Sequence, residues 1–508
     1  DNMLKWNKTF GKHAFDFTFL ANWEKFQRWH DEMTNENFLP TDELGYGGIG
    51  FGTSPNVSSD DVYRTGDAFM GRLHYVYDQR YLITATVRRD GYSAFGLANP
   101  RATFPAIALG WVFSEEKFLH RPDWFEYGKL RLSWGKNGNR AVGTYAAFMQ
   151  LAPRKYIYVD PATGSLVTAN TFYASTMANP NLKWESTTSW NIGTDLTFLK
   201  GRLSANLDVY KKITTDLLVS RELPSLIGYS SVMSNIGEVQ NTGVELSLNS
   251  TNIRMDKLTW RTSFSLAYNK NKITHLYGIM EDVKDADGNV IGQREADDIK
   301  NKRFIGHDID EIWDYKVVGI WQEEEREEAA KYGQQPGDVH LLDKDMNYKY
   351  DNTDKEFQGT TMPRLRWSMR NDFTLFKNFN ISFNMYSYIG HKKTLGRFTN
   401  DNALLNVTNQ IKRDYWTPEN RNNEYPRLAN KKPAGVSYAI YKNASFLRFD
   451  NISIGYTFPK KLIEPLRIQN LNVNATMKNA GYISGWPGYD PETVSYTHLR
   501  AHETELHL

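Results

Sequence analysis

The sequence has no cysteine in its 508 residues. This absence excludes disulfides, thiolate metal sites and a cysteine nucleophile at once. A zero count also suits a protein that crosses an oxidising compartment before it folds, although chance remains a competing explanation.

Long apolar runs and excess charge are lacking as well. The longest apolar stretches, such as AIALGWVF at residues 106–113, are strand-sized and fall well short of the roughly 20 residues of a membrane-spanning helix. Lysine and arginine, 61 residues together, nearly balance the 59 acidic residues, and no basic tract indicates nucleic-acid binding. A helical membrane protein is therefore excluded, and we expect no nucleic-acid partner. The start of the chain does not resemble a signal peptide, which fits a mature start or a fragment.

No catalytic motif is recognisable. Neither H-E-x-x-H nor G-x-S-x-G occurs, and no pair of carboxylates stands out for acid and base roles, so we predict that the protein is not an enzyme. The stretch GYGGIG at residues 45–50 fits G-x-G-x-x-G, but it lies in a segment rich in glycine, serine and asparagine, not between a strand and a helix. We interpret it as an extracellular loop.

What the sequence does have is a repeated alternation of apolar and polar residues. In LSANLDVY the residues on one face are Leu203, Ala205, Leu207 and Val209, and those on the other are Ser204, Asn206, Asp208 and Tyr210. A period of two indicates a β-strand, and Lys200-Gly201 predicts a tight hairpin turn before it. Similar strands of about ten residues recur along the chain, longer than is usual in soluble sheets.

The alternation predicts an all-β protein, a transmembrane antiparallel β-barrel whose apolar face meets lipid and whose polar face lines a wet lumen. We count about 13 strands, the first around residues 15–23 and the last around residues 471–478. An odd number cannot close a barrel, so we expect a partial barrel within residues 1–493. In FLRFDNISIGYTF the apolar phase changes, which predicts a β-bulge near Asp450-Asn451.

The predicted connections alternate between short and long, as in an outer-membrane barrel with periplasmic turns and extracellular loops. Short turns are expected at residues 78–80, 200–201, 250–256, 377–378 and 459–465, with a medium connection at 114–127. Long loops are expected at residues 91–103, 137–181, 213–238, 271–364 and 390–445. Aromatic residues at strand ends predict two interfacial girdles, with Phe198, Trp260, Tyr456 and Phe458 at the turn end and Trp134, Tyr210 and Tyr268 at the loop end.

The last residues differ from the rest. VSYTHLRAHETELHL, residues 494–508, has three of the chain's 11 histidines and no strand alternation. It is similar to translated sequencing-adapter DNA. We therefore expect residues 494–508 to be a non-native tail.

Several strand motifs together resemble the SusC/RagA family of TonB-dependent outer-membrane transporters. The motifs, in chain order over residues 72–492, are YLITATVRRDGYSAFG, FPAIALGWVFSEEKF, KLRLSWGKNGN, NPNLKWEST, NIGEVQNTGVELSL, FLRFDNISIGYTFP and GYDPE. The resemblance implies a bacterial outer-membrane location and a barrel of roughly 22 strands. It also implies TonB-driven import of glycans or peptides with a SusD-like surface lipoprotein as lid. The plug domain and the TonB-contacting segment would be absent from this chain. A soluble β-rich carbohydrate-binding protein and a passive porin-like channel are the alternatives.

One loop has the spacing of a calcium site. Oxygen-bearing side chains occupy positions 1, 3, 5, 9 and 12 of the register, namely Asp343, Asp345, Asn347, Asp351 and Asp354. Against calcium, Tyr348 stands where the turn favours glycine, and position 12 is the shorter aspartate. The alternative is an acidic, solvated loop. Apart from calcium, no cofactor is expected.

The same long loop is rich in aromatic residues, which are Trp313, Tyr315, Trp321, Tyr348 and Tyr350. Aromatic faces stack on sugar rings, so one interpretation is a substrate-binding platform. Packing within a folded loop is the other. EEEREEAAKYG from Glu323 is predicted to be a short solvated helix.

Overall fold

The structure, a computed structural model, describes residues 1–38, 45–229, 231–285, 287–395, 414–428, 430–488 and 490–492. Its main feature is one 14-stranded sheet in which every strand pairs antiparallel with the strands before and after it in the sheet order. The predicted all-β class is confirmed. The tail predicted at residues 494–508 lies outside the described residues.

The strands of this sheet, which we call the wall, are numbered in chain order. They are β1 (Asn2–Phe10), β2 (His13–Thr34), β3 (Asn56–Tyr77), β4 (Tyr81–Tyr92), β5 (Arg101–Trp111), β6 (Phe125–Asn139), β7 (Glu185–Phe198), β8 (Leu203–Thr215), β9 (Glu238–Met255), β10 (Leu258–His275), β11 (Leu365–Leu375), β12 (Phe379–Ile389), β13 (Phe446–Thr457) and β14 (Asn472–Ser484). Two short helices, α1 (Arg326–Lys331) and α2 (Lys460–Ile463), lie in the connections.

The sheet is open, as predicted for a partial barrel. Within the described ranges, β1 pairs only with β2, and β14 pairs only with β13. The predicted number of strands was one too low, because β1 precedes the first strand that the alternation indicated. No helix in the described part of the chain is long and apolar enough to cross a membrane.

The register aligns the apolar face across neighbouring strands. One row runs through Leu207, Leu246, Leu266 and Trp367, and the row on the loop side of it runs through Ile192, Val209, Val244 and Tyr268. From Leu258 to Tyr268, ten residues at about 3.4 Å each and a tilt of about 40° span roughly 26 Å along the barrel axis. This height matches the apolar band that a bilayer requires.

The bulge predicted near Asp450-Asn451 is present. The pairing of β13 with β14 shifts between Phe449 and Asn451, and its pairing with β12 shifts between Asn384 and Met385. The extra residue moves Ile452 and Ile454 onto the same face as Leu447 and thereby keeps the apolar face continuous.

The predicted sorting of short and long connections is confirmed, with one exception. Tight turns place Asp78 and Gln79, Lys200 and Gly201, and Phe376 and Lys377 at positive φ. The exception is the turn predicted at residues 250–256, where β9 continues to Met255 and the chain turns at residues 256–257. Polar residues there form a bulge in the strand and not a turn.

The long connections are folded. The β6–β7 and β8–β9 connections contribute a four-stranded sheet of Gln150–Val159, Leu166–Met177, Leu218–Glu222 and Ser231–Asn235. The stretch GYGGIG lies in a 3-10 helix, Gly45–Phe51, between β2 and β3, which agrees with its interpretation as a loop. The predicted solvated helix is present as a 3-10 turn, Glu323–Glu325, followed by α1.

The two longest loops fold together into one unit, which we call the cap and define as residues 311–360, 392–395, 414–428 and 430–443. Its hydrophobic core joins residues from both loops, namely Tyr315, Ile320, Val339, Leu341, Leu395, Trp416, Tyr438 and Ile440. Fully buried Asp338 links the loops, because it accepts hydrogen bonds from Arg427 Nε at 2.7 Å and Lys431 N at 2.8 Å. The cap thus packs like a soluble domain.

Candidate functional site

The inner face of the wall contains the polar half of each alternating strand. At one level the cross-strand register joins Asp208, Glu245, Ala267, Arg366 and Tyr388. The next level toward the short turns joins Asn206, Ser247, Ser265, Ser368 and Tyr386. Both levels lie near the loop end, since Arg366 is the second residue of β11 and Tyr388 the penultimate residue of β12. A solute passing between loops and lumen would meet them.

These two levels line an open, shallow recess of about 430 Å³ in the wall, within the usual size of a small-molecule site. The side chains of Arg366, Tyr386 and Tyr388 form one side of it, and Glu245 with serines of β9, β10 and β11 forms the other. The Arg366 guanidinium lies 5.2 Å from the centre of the Tyr388 ring. The recess combines aromatic surface, hydroxyls and charge, which suits a polar ligand.

A compact ion cluster adjoins the recess. Arg448 of β13, largely buried, pairs with Asp490 and Glu492, which follow β14. The Tyr386 hydroxyl donates a hydrogen bond to Glu492 Oε2 at 2.6 Å. These contacts fix the GYDPE segment against the inner wall and neutralise Arg448.

The sequence did not single out Arg366, Tyr386 or Tyr388. Each lies on the polar face of its strand, so alternation placed it in the lumen without distinguishing it from other lumen residues. The hairpin of β11 and β12, whose tight turn the sequence predicted, brings these three together, whereas Glu245, Ser247 and Ser265 join them only across a long loop. Tyr210 requires a correction, since it lies on the inner face and donates to Asn269 Oδ1 at 3.1 Å, whereas the sequence placed it in an aromatic girdle.

Of the five loop aromatics predicted to bind substrate, three are buried in the loop region. Trp313, Tyr315 and Trp321 are each less than 10% exposed. Trp321 stacks on His340 with ring centres 3.4 Å apart and donates from Nε1 to Gln334 Oε1 at 3.1 Å. Their surroundings correspond to the packing interpretation.

Tyr348 is the exposed member of the set, with 43% of its surface accessible. Tyr350 is half-buried and stacks on Tyr332, whose ring also contacts Tyr348 edge to face. Burial first, and then the hydrogen bond to Asp343, raises the pKa of Tyr332, so its hydroxyl stays a donor. Substrate contact by Tyr348 stays a prediction.

The predicted calcium loop brings three of its five residues together. Carboxylate oxygens of Asp343, Asp345 and Asp354 lie within 4.8 Å of one another. Asn347 instead donates from Nδ2 to Asp345, and Asp351 caps the 3-10 helix Asn352–Asp354 by accepting from Thr353 N.

Backbone N–H groups already donate hydrogen bonds to these carboxylates. Asp354, fully buried, accepts from Lys344 N and Asp351 N, each at 2.9 Å. Burial disfavours ionisation of Asp343, but hydrogen bonds from Tyr332 and Tyr348 N outweigh it and hold its pKa below the ordinary value. Tyr348 itself adopts φ 64° where a calcium loop favours glycine. Calcium binding by this loop stays a prediction.

The outer face contains a polar group that the sequence did not predict. Ser250, Thr262 and Asn371 occupy one row between apolar rows of β9, β10 and β11. They are joined through bulged Asn252, which donates to Thr262 Oγ1 at 2.7 Å. Asn371 Oδ1 accepts from Thr262 Oγ1 at 2.7 Å and from Trp260 Nε1 at 2.9 Å. Asn371 is only 4% exposed, and mutual hydrogen bonding satisfies these groups on the outer side of the sheet at reduced cost.

Comparison with known proteins agrees with this architecture. Residues 2–480 match the family described as TonB dependent receptor-like, beta-barrel. The chain is 29% identical over 503 residues to TonB-dependent receptor P3 of Formosa agariphila, covering 97% of this chain and 48% of that protein. It is 32% identical over 448 residues to TonB-dependent receptor SusC of Bacteroides thetaiotaomicron, covering 84% of this chain and 41% of that protein.

The chain thus spans about half the length of these curated relatives. Among solved structures, the RagAB peptide transporter superposes with a TM-score of 0.73 at 21% identity. The superposition covers 96% of this chain and 52% of that chain. At this identity the likeness shows a shared fold.

Proposed function

Since the chain belongs to the TonB-dependent receptor-like β-barrel family, we propose that it forms part of the barrel of an importer that carries glycans or peptides across the outer membrane. The family consists of outer-membrane receptors, which confirms the predicted location and the prediction that the protein is not an enzyme. The soluble alternative is set aside because the chain belongs to an outer-membrane barrel family and its wall exposes a continuous apolar face.

The observation that carries the proposal is the opposite character of the two strand ends. Tight turns close one end, whereas the other end bears the cap, which has its own hydrophobic core. Large folded loops at this end give an importer a surface on which to hold solute before translocation, and the uptake test below separates an importer from a porin-like channel.

In the proposed cycle, substrate is held between the extracellular loops and a SusD-like surface lipoprotein, and the TonB complex then supplies energy to displace a plug. This chain contributes the wall, the recess along the substrate path and the cap. The lipoprotein and the plug belong to other polypeptide segments in this scheme. Both substrate classes have support, because the strand motifs resemble the SusC/RagA family and the fold is shared with the RagAB peptide transporter.

The test is uptake by the source bacterium with and without the gene that encodes this chain. We expect deletion to abolish growth on one glycan or peptide source, and a strain lacking TonB to show the same loss. Uptake that persists without TonB but disappears with the gene would contradict energised import and favour the porin-like channel. Co-purification of a surface lipoprotein with the full-length receptor would support the lid.

A further inference from the structure

We propose that the recess in the wall binds a carboxylate group of the transported substrate through Arg366. The inference rests on the proposed function and deepens it, because it names the chemical class of substrate that is selected along the import path. Its basis is the position of Arg366 near the loop end, where it lies over the Tyr388 ring and beside serine hydroxyls of the recess.

Three other inner-face arginines are neutralised, whereas Arg261, nearer the short turns, has no ion pair among the described residues. Arg131 pairs with Asp195 at 3.0 Å and Asp208 at 2.9 Å, and Arg370 pairs with Asp372 at 2.8 Å. Arg448 has Asp490 and Glu492. Arg366 has no ion pair within the described part of the chain, and the other charged residue that lines the recess, Glu245, lies two strands away, about 10 Å in a sheet.

The surroundings of Arg366 leave its donors available. The guanidinium rests over the Tyr388 ring at 5.2 Å, an arrangement that orients the planar group without using its N–H donors. Hydroxyls of Ser265 and Ser368 lie one level lower on adjacent strands and line the same recess. A carboxylate could accept two parallel hydrogen bonds from Arg366 and a further one from serine.

The local potential is positive on the loop side of the recess. His391, which follows β12, is buried, and its pKa is lowered by that burial and then by Lys393 and Arg366. The acidic groups nearest to it, Asp490 and Glu492, are already engaged by Arg448. Exposed Glu245 on the opposite side disfavours a second anionic group, so the recess takes one carboxylate at a time.

The carboxylate could come from an acidic sugar or from a peptide, and the test separates these sources. The full-length receptor, purified from outer membranes in detergent, is titrated calorimetrically with two matched pairs of probes. One pair is trigalacturonate and its neutral methyl ester, and the other is a tripeptide with neutral side chains and a free or amidated C-terminus. The acidic member of at least one pair should bind roughly tenfold more tightly than its neutral analogue.

Arg366→Gln should abolish that preference, and Arg366→Lys should retain part of it because it keeps the charge without the fork. The matched control is Arg261→Gln, which removes an exposed inner-face arginine from β10, about 20 Å nearer the short turns. That variant should keep the preference. A shift in gel mobility on heating equal to that of the unmodified receptor would show that the variants fold.

The proposal is overturned by equal binding of acidic and neutral probes, by equal losses in the two glutamine variants, or by absence of binding to every probe. The pair that shows the preference identifies the source of the carboxylate. These results are distinguishable from failure of the proposed function, since TonB-dependent uptake is measured separately in cells. If the receptor imports substrate but shows no preference for acidic probes, only the proposal of a carboxylate site in the recess is contradicted.

Discussion

The wall and the cap place the same kinds of side chain in opposite surroundings. On β7 and β8, Ile192 is 57% and Val209 47% exposed, whereas Val339 and Leu341 in the cap are 0% exposed. The difference shows that the middle of the wall, a single sheet, packs no hydrophobic core against its outer face and depends on the bilayer to surround that face. The cap buries its own apolar surface and can pack in water.

The two regions also use polar groups differently. The wall directs them to the lumen in alternate positions, and an outward polar group, the row of Ser250, Thr262 and Asn371, is internally hydrogen-bonded. In the cap a fully buried carboxylate, Asp338, joins two loops. A substitution should therefore affect one region without the other, and four experiments test this separation in order of decreasing effect.

The largest effect is expected from Asp338→Ala in the cap. Removing this carboxylate leaves Arg427 without its buried partner, and breaking such a pair costs about 3–5 kcal/mol. Hydrogen exchange should accelerate in both loops of the cap and stay unchanged in β9 and β10. The control Glu324→Ala breaks an exposed pair with Arg421 and should leave exchange unaltered. Equal acceleration in the wall would contradict independent folding of the cap.

On the wall, adjacent positions should respond in opposite ways to the same arginine. Leu248→Arg puts a charge on the lipid face and should destabilise the barrel by about 2–4 kcal/mol near the midplane, whereas Ser247→Arg faces the lumen and should be tolerated. Urea unfolding in lipid vesicles measures both. If the two variants are equally stable, the assignment of the faces is wrong.

A smaller loss is expected from Asn371→Ala. The change leaves Trp260 Nε1 and the Thr262 hydroxyl without their acceptor on the lipid side, at a cost of about 1–3 kcal/mol. Asn380→Ala is the control, since Asn380 is exposed on the lumen side and accepts from Thr374. The same unfolding assay should separate the two variants, and a control loss as large as that of Asn371→Ala would argue against a role for lipid exposure.

The smallest effect concerns pH and the cap. Burial lowers the pKa of His340 from 6.5, and the nearby carboxylates of Glu325 and Glu328 only partly offset this. The folded cap therefore binds fewer protons at His340 than the unfolded loop does. The contribution of neutral, buried His340 to the stability of the cap is complete above about pH 6.5 and declines as the pH falls below that value. Protease cleavage of the cap should increase between pH 7 and about pH 5. His340→Gln should weaken that dependence, and an unchanged dependence would exclude His340 as its source.

The sequence predicted the wall well because each wall residue obeys a local rule. Alternation depends only on neighbours two positions away, so Leu207 and Leu246 could be assigned to the lipid face before their pairing was known. β1 was missed because Lys8 interrupts its outward row of Leu4, Trp6 and Phe10. The turn predicted at residues 250–256 was wrong because Ser250 and Asn252 look like turn residues until Thr262 and Asn371 are placed beside them.

The cap and the recess could not be predicted in this way. Asp338 and Arg427 are 89 residues apart, and their pairing depends on where two long loops meet. Trp321 carries no sequence feature that separates a buried ring from a ring that contacts substrate, so both interpretations stood until its packing was known. The calcium loop was predicted from sequence spacing alone. In the structure, Asp343, Asp345 and Asp354 are the three of its five residues that lie together.

The central claim is that one strand face meets lipid and the other a wet lumen, and the absence of cysteine permits a direct measurement. Single cysteines at residues 244–250 of β9 in the full-length receptor, reconstituted in vesicles, carry a spin label whose accessibility to oxygen and to a water-soluble nickel chelate is measured. We predict strict alternation, with positions 244, 246 and 248 accessible to oxygen and positions 245, 247 and 249 accessible to the chelate. Uniform accessibility along the strand, or alternation in the opposite phase, would contradict the account.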